Sequence, residues 1–331
     1  MSKGLPALNS ASTPAVVRKE MKEFREKLDE TISPKRDTAR NLLIGTWNVK
    51  AFASLTERWT ARSSESPKRD WRGLWAITEI ISRFDVIALQ EVKGNLKALR
   101  TVLKTLPPDW QFLMTDVTRG DAGNGERLAF MFDSRRVNLS GLACELVVPD
   151  EQLNKISPDA LQRQFVRTPY AVGFKSGSET FVLVTMHVIY GDNAEQRTPE
   201  LKAIADWMSE WALQITDWEQ NLILLGDFNI DRRGSPLWQA FSSTGLTIPS
   251  FLDNVPRSIF AKKSGSLEKY YDQIAWFETT PDDRRLNMKI LGGGHVDFVG
   301  QFYSDAGLTK SQLQHRISDH YPLWVEFECR N

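Results

Sequence analysis

The stretch ISDHYPLWVEF, residues 317–327, sets an apolar run behind an aspartate, a histidine and a proline. PLWVEF reads as a β-strand, yet its chemically versatile residues, Asp319 and His320, stand where the strand begins. DQIAWF repeats the arrangement, with Asp272 at its start. Four other apolar runs are built the opposite way round. LLIGTWN ends on Asn48, VIALQE on Glu91, FVLVTMH on His187, and LILLGDFN on Asp227 and Asn229. For all six strands to serve one edge, the two that start with polar groups must run antiparallel to the four that end with them. That geometry excludes a doubly wound parallel sheet and requires mixed, largely antiparallel sheets. The runs are apolar at odd and even positions alike, so each sheet is covered on both faces. The expected fold is therefore α+β: a four-layer α/β/β/α sandwich of two sheets flanked by helices.

The rest of the chain is consistent with that frame. Of its 331 residues, 41% are apolar and 25% charged, enough for a large core. A formal net charge of zero excludes a broadly cationic polyanion binder, so any nucleic-acid contact must come from local patches. Cys144 and Cys329 are the only cysteines and read as reduced thiols. No apolar run reaches membrane-spanning length, and MSKGLPALNSASTPAVV lacks the apolar core of a secretory leader. A soluble cytoplasmic protein without membrane insertion is expected. Residues 1–13 have a disordered composition. Residues 14–33 read as a helix capped by Thr13, whose Val17, Met21, Phe24 and Leu28 fall on one face. Such a stripe serves docking on the same chain or dimerisation, and docking is the simpler use. From about 40 to 330 the texture is uniform and reads as one catalytic domain. RLAFMFD and YAVGFK add strands, and helical patterns surround WRGLWAITEIISRF, NLKALRTVLKTL and PELKAIADWMSEWALQI.

Two of the chain's four histidines fall at these strand termini, together with carboxylates and asparagines. Oxygen donors with few histidines suit Mg²⁺, or Mn²⁺, better than zinc. Imidazoles at the same edge suit general acid–base catalysis. Transfer of a phosphoryl group to water needs both.

In order along the chain, TWNVK, ALQEV, GDFN and SDHYP resemble the endonuclease/exonuclease/phosphatase superfamily, which includes deoxyribonuclease I. The resemblance covers residues 41–328. It implies that Glu91 is the principal Mg²⁺ ligand, with Asn48 beside it at metal-bound water or phosphate and Asp319 completing the metal site. It implies that Asp227 and Asn229 hold the attacking water and a phosphate oxygen, and that His320 is catalytic and oriented by Asp272. NGERLAFMFD and FVRTPYAVGF resemble segments of the deoxyribonuclease I branch, which implies a Glu126–His187 pair and a phosphate-binding Arg167. Tyr190, in HVIYGD, fits either substrate stacking or packing. Asp231 reads as a turn residue.

Arg58, Arg62, Lys68, Arg69 and Arg72, interleaved with Trp59 and Trp71, follow directly on Asn48. They are expected to hang over the catalytic edge and track a phosphate backbone, as are Arg232–Arg233 and Lys262–Lys263. Together with the resemblance, they make DNA the expected partner and a Mg²⁺-dependent DNA endonuclease the expected enzyme. A phosphatase or phospholipase acting on phosphoinositides or sphingomyelin would share the chemistry. A non-enzymatic scaffold would share only the fold.

Overall fold

Alternation along one strand builds the layers. In β1 (Leu42–Phe52), Leu42 and Ile44 belong to the apolar core between the two sheets, while Leu43, Trp47 and Val49 belong to the core under the helices. Both faces are buried, so the strand has no polar side until its end. The computed structural model describes residues 3–35, 41–117, 125–146, 167–190, 194–214, 221–261, 269–278 and 286–329. Lys262 and Lys263 lie outside them.

The remaining strands of the first sheet are β2 (Val86–Lys93), β3 (Trp110–Met114), β4 (Glu126–Asp133), β11 (Ile290–His295) and β12 (Leu323–Phe327), in the order β11-β12-β1-β2-β4-β3. The second sheet comprises β5 (Asn138–Glu145), β6 (Tyr170–Ser176), β7 (Glu179–His187), β8 (Asn221–Asp227), β9 (Leu246–Thr247) and β10 (Asp272–Phe277), in the order β5-β6-β7-β8-β10-β9. Each sheet has a single parallel pair at its centre, β1 with β2 and β7 with β8, and its other pairings are antiparallel. β12 runs against β1, and β10 against β8, as the reversed order of their polar residues requires.

Aromatic side chains fill the seam between the sheets. Phe174 of β6 meets Phe130 and Phe132 of β4 at ring separations of 5.7 and 5.5 Å, and Trp276 of β10 meets Phe327 of β12 at 5.6 Å. Directly below the strand ends, Gln90 Nε2 donates to Thr46 Oγ1 in its own sheet and to Thr185 Oγ1 in the other. The outer layers are α1 (Ala15–Thr31), α2 (Trp71–Ile81) and α3 (Lys97–Thr105) on one side, and α4 (Ala194–Gln214) and α5 (Pro236–Ser242) on the other. A short α6 (Lys310–Leu313) precedes β12.

The N-terminal helix docks on the same chain through its predicted stripe, with Val17, Met21, Phe24 and Leu28 buried. Its Glu20 accepts two hydrogen bonds from the buried Arg72 of α2, at 2.7 and 2.5 Å. Two expectations need correction here. Thr13 does not cap α1; its hydroxyl donates instead to Ala7 O, 2.9 Å away. Nor does disorder extend over residues 3–13, because Leu5 N donates to Thr105 Oγ1 and Trp75 Nε1 donates to Pro6 O. Small residues suggested mobility, but backbone groups with partners on α2 and α3 fix the path.

Candidate active site

Strand alternation carries Thr46 and Asn48 of β1, Gln90 of β2, and Thr185 and His187 of β7 to the rim of the seam, where the apolar runs stop. β1 and β2 both break register there. Lys50, Ala51 and Glu91 take positive φ values of 40°, 46° and 61°, a strained backbone that lifts side chains out of the regular pleat. Arg69 holds this turn, its guanidinium donating to the carbonyls of Val49, Lys50, Ala51 and Ile317 at 2.7–3.0 Å.

Asp227 is the hub of the site. Its Oδ2 accepts from Asn48 Nδ2 at 3.0 Å and lies 3.7 Å from His187 Nε2 and 3.9 Å from His320 Nε2. Each imidazole is backed by its own carboxylate. His320 Nδ1 lies 2.7 Å from Asp272 Oδ2, and His187 Nδ1 lies 3.2 Å from Glu126 Oε2. The Asn48–Asp227, His320–Asp272 and His187–Glu126 couplings all cross the seam. Asn48, Glu126 and His320 come from the first sheet and its approach to β12, whereas Asp227, His187 and Asp272 come from the second.

The reason Asp227 can sit here is the glycine before it. Gly226 has φ +142°, and a Cβ there would lie 2.1 Å from Met186 O, so no other residue fits between β8 and β7 without displacement. Asn229, at φ 49°, donates its backbone N–H to Asp227 Oδ1 and commits one amide hydrogen to Val188 O. Ser318 fastens the other side, donating to Asn48 O at 2.6 Å and accepting from His320 N at 3.1 Å, while Trp47 Nε1 donates to His320 O.

Charge is distributed unevenly. Burial alone would raise the Glu126 carboxyl, but His187, Arg167 and Lys93 hold it down to about 2. Arg167 Nε lies 2.8 Å from Glu126 Oε2, and Lys93 Nζ donates to Oε1 at 2.8 Å. Burial alone would lower the His320 imidazole, but the carboxylates of Asp272 and Asp227 override it and favour the imidazolium. Asp319 meets Lys50 Nζ at 2.7 Å. Against burial, His320 and Lys50 keep its carboxyl below the usual range. Glu91 is different. Its oxygens accept from Asn48 Nδ2 at 3.0 Å and Ala51 N at 2.7 Å, and among the described residues no cation pairs with it.

That difference bears on where a metal fits. Asp227, Asp272 and His320 place one donor atom each within 4.8 Å of one another. The Asp272–His320 contact ties up one atom of each of those two residues, and all three residues are buried. Glu91 offers a half-buried carboxylate with no direct ion pair among the described residues and only the through-space charge of Arg69, flanked by oxygen-bearing Asn48 and, across Lys50, Asp319. Hard oxygen donors with spare charge fit Mg²⁺ or Mn²⁺, and the Glu91 side is the better match.

Sequence reasoning missed Lys50, Lys93 and Ser318, and it misread Arg69 with most of the basic insert. Arg69 and Arg72 are buried, Lys68 donates to the carbonyls of Arg62, Ser63 and Glu65, and Arg58 pairs with Glu65. These four cations satisfy the fold's own oxygens, which leaves the exposed Arg62 as the insert's remaining basic side chain. Arg233 likewise pairs with Asp253. Asp231 lies just before the turn at 233–234, where its carbonyl accepts from Lys269 N and its carboxylate pairs with Arg197. Neither cysteine is in a disulfide, and no described helix is long and apolar enough to cross a membrane.

A two-sheet sandwich with two imidazole–carboxylate pairs meeting at one strand edge defines a hydrolase class, and the comparisons agree. Residues 45–320 match the family model described as Endonuclease/Exonuclease/phosphatase family, and the chain belongs to that family. It is similar to a deoxyribonuclease of a Thioalkalivibrio species, 24% identical over 261 residues that cover 76% of this chain and 65% of that protein. The match therefore spans just under two thirds of that relative's length. It is 26% identical to Deoxyribonuclease-1 of Canis lupus familiaris over 257 residues, 75% of this chain and 82% of that one. A functionally unknown conserved protein from Enterococcus faecalis shares the fold, with a TM-score of 0.57 and 17% identity over 87% of this chain and 100% of that one.

Proposed function

We propose that the protein is a divalent-metal-dependent phosphodiester hydrolase that cuts DNA as an endonuclease. The observation that carries this reading is the convergence of two carboxylate-backed imidazoles on Asp227, beside an acid, Glu91, that has no direct ion pair among the described residues. Glu91, with Asn48 and Asp319, would hold Mg²⁺, or Mn²⁺ in its place. Bound there, the cation would offset charge gathering on the phosphoryl oxygens.

This chain's own residues supply the rest. Asp227 and Asn229 orient a water for in-line attack, so that a water-oxygen-to-phosphorus bond forms as the ester bond to the leaving oxygen breaks. One imidazole takes the water's proton and the other gives a proton to the leaving oxygen, on the 3′ side as the family implies. Asp272 and Glu126 fix the orientation of His320 and His187 and stabilise their charged forms. Arg167, whose Nε rests on Glu126, presents its remaining guanidinium hydrogens to a phosphate oxygen. The deoxyribonuclease relatives favour DNA over lipid or inositol phosphates.

The test is a panel of plasmid, single-stranded DNA, RNA and phospholipid with Mg²⁺, Mn²⁺ or EDTA. Metal-dependent plasmid nicking is expected. Turnover of phospholipid alone would transfer the site to the lipid branch, and turnover of nothing would leave a scaffold.

A further inference from the structure

Tyr190 is 59% exposed and is the only large aromatic so open among the described residues. It lies three residues past His187, and its ring is not loose. The Arg197 guanidinium sits 5.1 Å from its centroid, and Tyr271 meets it edge to face at 6.4 Å. Tyr271 in turn lies 5.6 Å from the His320 ring, at an interplanar angle of 36°. Arg197 is itself almost enclosed. It donates to Asn229 O at 2.7 Å and grips both oxygens of Asp231 at 2.9 and 3.1 Å. One bracket therefore holds both Asn229 and the exposed ring.

An aromatic surface fixed in advance loses little freedom on binding, which is what a recognition group needs. Its location, two ring contacts from the His320 imidazole, is that of the nucleotide next to the reacting phosphate. A base inside a duplex has both faces covered by its neighbours, so a protein ring reaches a base face only when the nucleotide is unpaired or turned out. The corrected role of the basic insert points the same way. With Arg69, Arg72 and Lys68 bound to the fold's own groups, little cationic surface remains in that segment for following a duplex backbone.

We propose that Tyr190, braced by Tyr271 and Arg197, is a stacking platform for an unpaired nucleobase beside the scissile phosphate, making single-stranded DNA the preferred substrate. The proposal rests on the nuclease reading above and deepens it. The ring takes a base face, the strand bends across the rim, and the phosphate on its flank enters the site.

The experiment compares the full chain with Tyr190→Ala and Tyr190→Phe on single-stranded and duplex forms of one DNA sequence with Mg²⁺. Binding is read in EDTA from 2-aminopurine fluorescence in the single strand. The wild type should prefer the single strand and quench the probe at one position. Tyr190→Ala should lower the single-strand to duplex ratio of kcat/KM by about 10-fold or more and abolish the quench, while Tyr190→Phe restores both. Equal loss on both substrates, no loss, or quenching that survives in Tyr190→Ala overturns the platform and leaves the nuclease reading standing. A wild type that cuts neither form removes the nuclease reading and the platform with it. Thermal unfolding of each variant confirms that this exposed position leaves the fold intact.

Discussion

Replacing Glu126 with glutamine removes a charge from the site while keeping its shape. In the folded protein the Glu126 carboxyl is held down to about 2, against an ordinary 4.5, because His187, Arg167 and Lys93 outweigh the opposing effect of burial. That difference of about 2.5 units, at about 1.36 kcal/mol each, is worth about 3 kcal/mol. The cost of stripping one partner from a buried ion pair is similar, about 3–5 kcal/mol. The sign follows from the direction of the shift. A carboxyl depressed by folding stabilises fully above its unfolded value, and that stabilisation fades as pH falls from about 4.5 towards 2. Urea unfolding of wild type and Glu126→Gln at several pH values should therefore show a gap of about 3 kcal/mol at pH 7 that narrows below about pH 4.5. Cleavage at pH 7 should fall about 100-fold, because His187 loses its orienting acid. A gap that stays constant from pH 7 to pH 3, or no gap at pH 7, would refute the assigned electrostatics.

Three further outcomes follow from the same structure. Glu91→Ala should abolish metal-dependent turnover while leaving the unfolding midpoint within about 1 kcal/mol of wild type, because the side chain is half exposed; full activity in this variant would remove Glu91 from the metal site. Gly226→Ala should cost at least about 2 kcal/mol in urea unfolding, since its Cβ collides with the Met186 carbonyl in a left-handed backbone. Arg69→Lys should lower the melting temperature and turnover without changing the salt dependence of DNA binding, since a lysine cannot fork to four carbonyls; an altered salt slope at unchanged stability would restore Arg69 to a nucleic-acid surface.

The layers and strand directions were legible because the polar residues sit at opposite ends of apolar runs, a pattern that only antiparallel neighbours reconcile. All eight strands expected from such runs are present. The strands that escaped notice lack the signal. β5 is largely exposed, β11 is glycine-rich with exposed Leu291, β3 is a short edge strand, and β9 has two residues. Asn48, Glu126, His187, Asp227, Asp272 and His320 do meet, because Glu126, His187, Asp227 and Asp272 open or close strands at the same rim, Asn48 sits at the register break of β1, and His320 leads into β12. Lys50, Lys93 and Ser318 were invisible because their partners are far away in sequence: Lys50 bonds Asp319, Lys93 bonds Glu126, and Ser318 bonds Asn48 O. Charge density misled in the insert for a related reason. A run of arginines looks identical whether it awaits phosphates or already clasps buried carbonyls, and only tertiary structure separates the two.

Because His320 and His187 each take their backing carboxylate from the opposite sheet, neither sheet alone assembles either of those pairs. A nascent or partly melted molecule with only one sheet in place would hold histidines without their acids. The two backed imidazoles therefore exist only while the two sheets are packed together. On the proposed hydrolase reading, a copy with its sheets apart lacks both backed imidazoles.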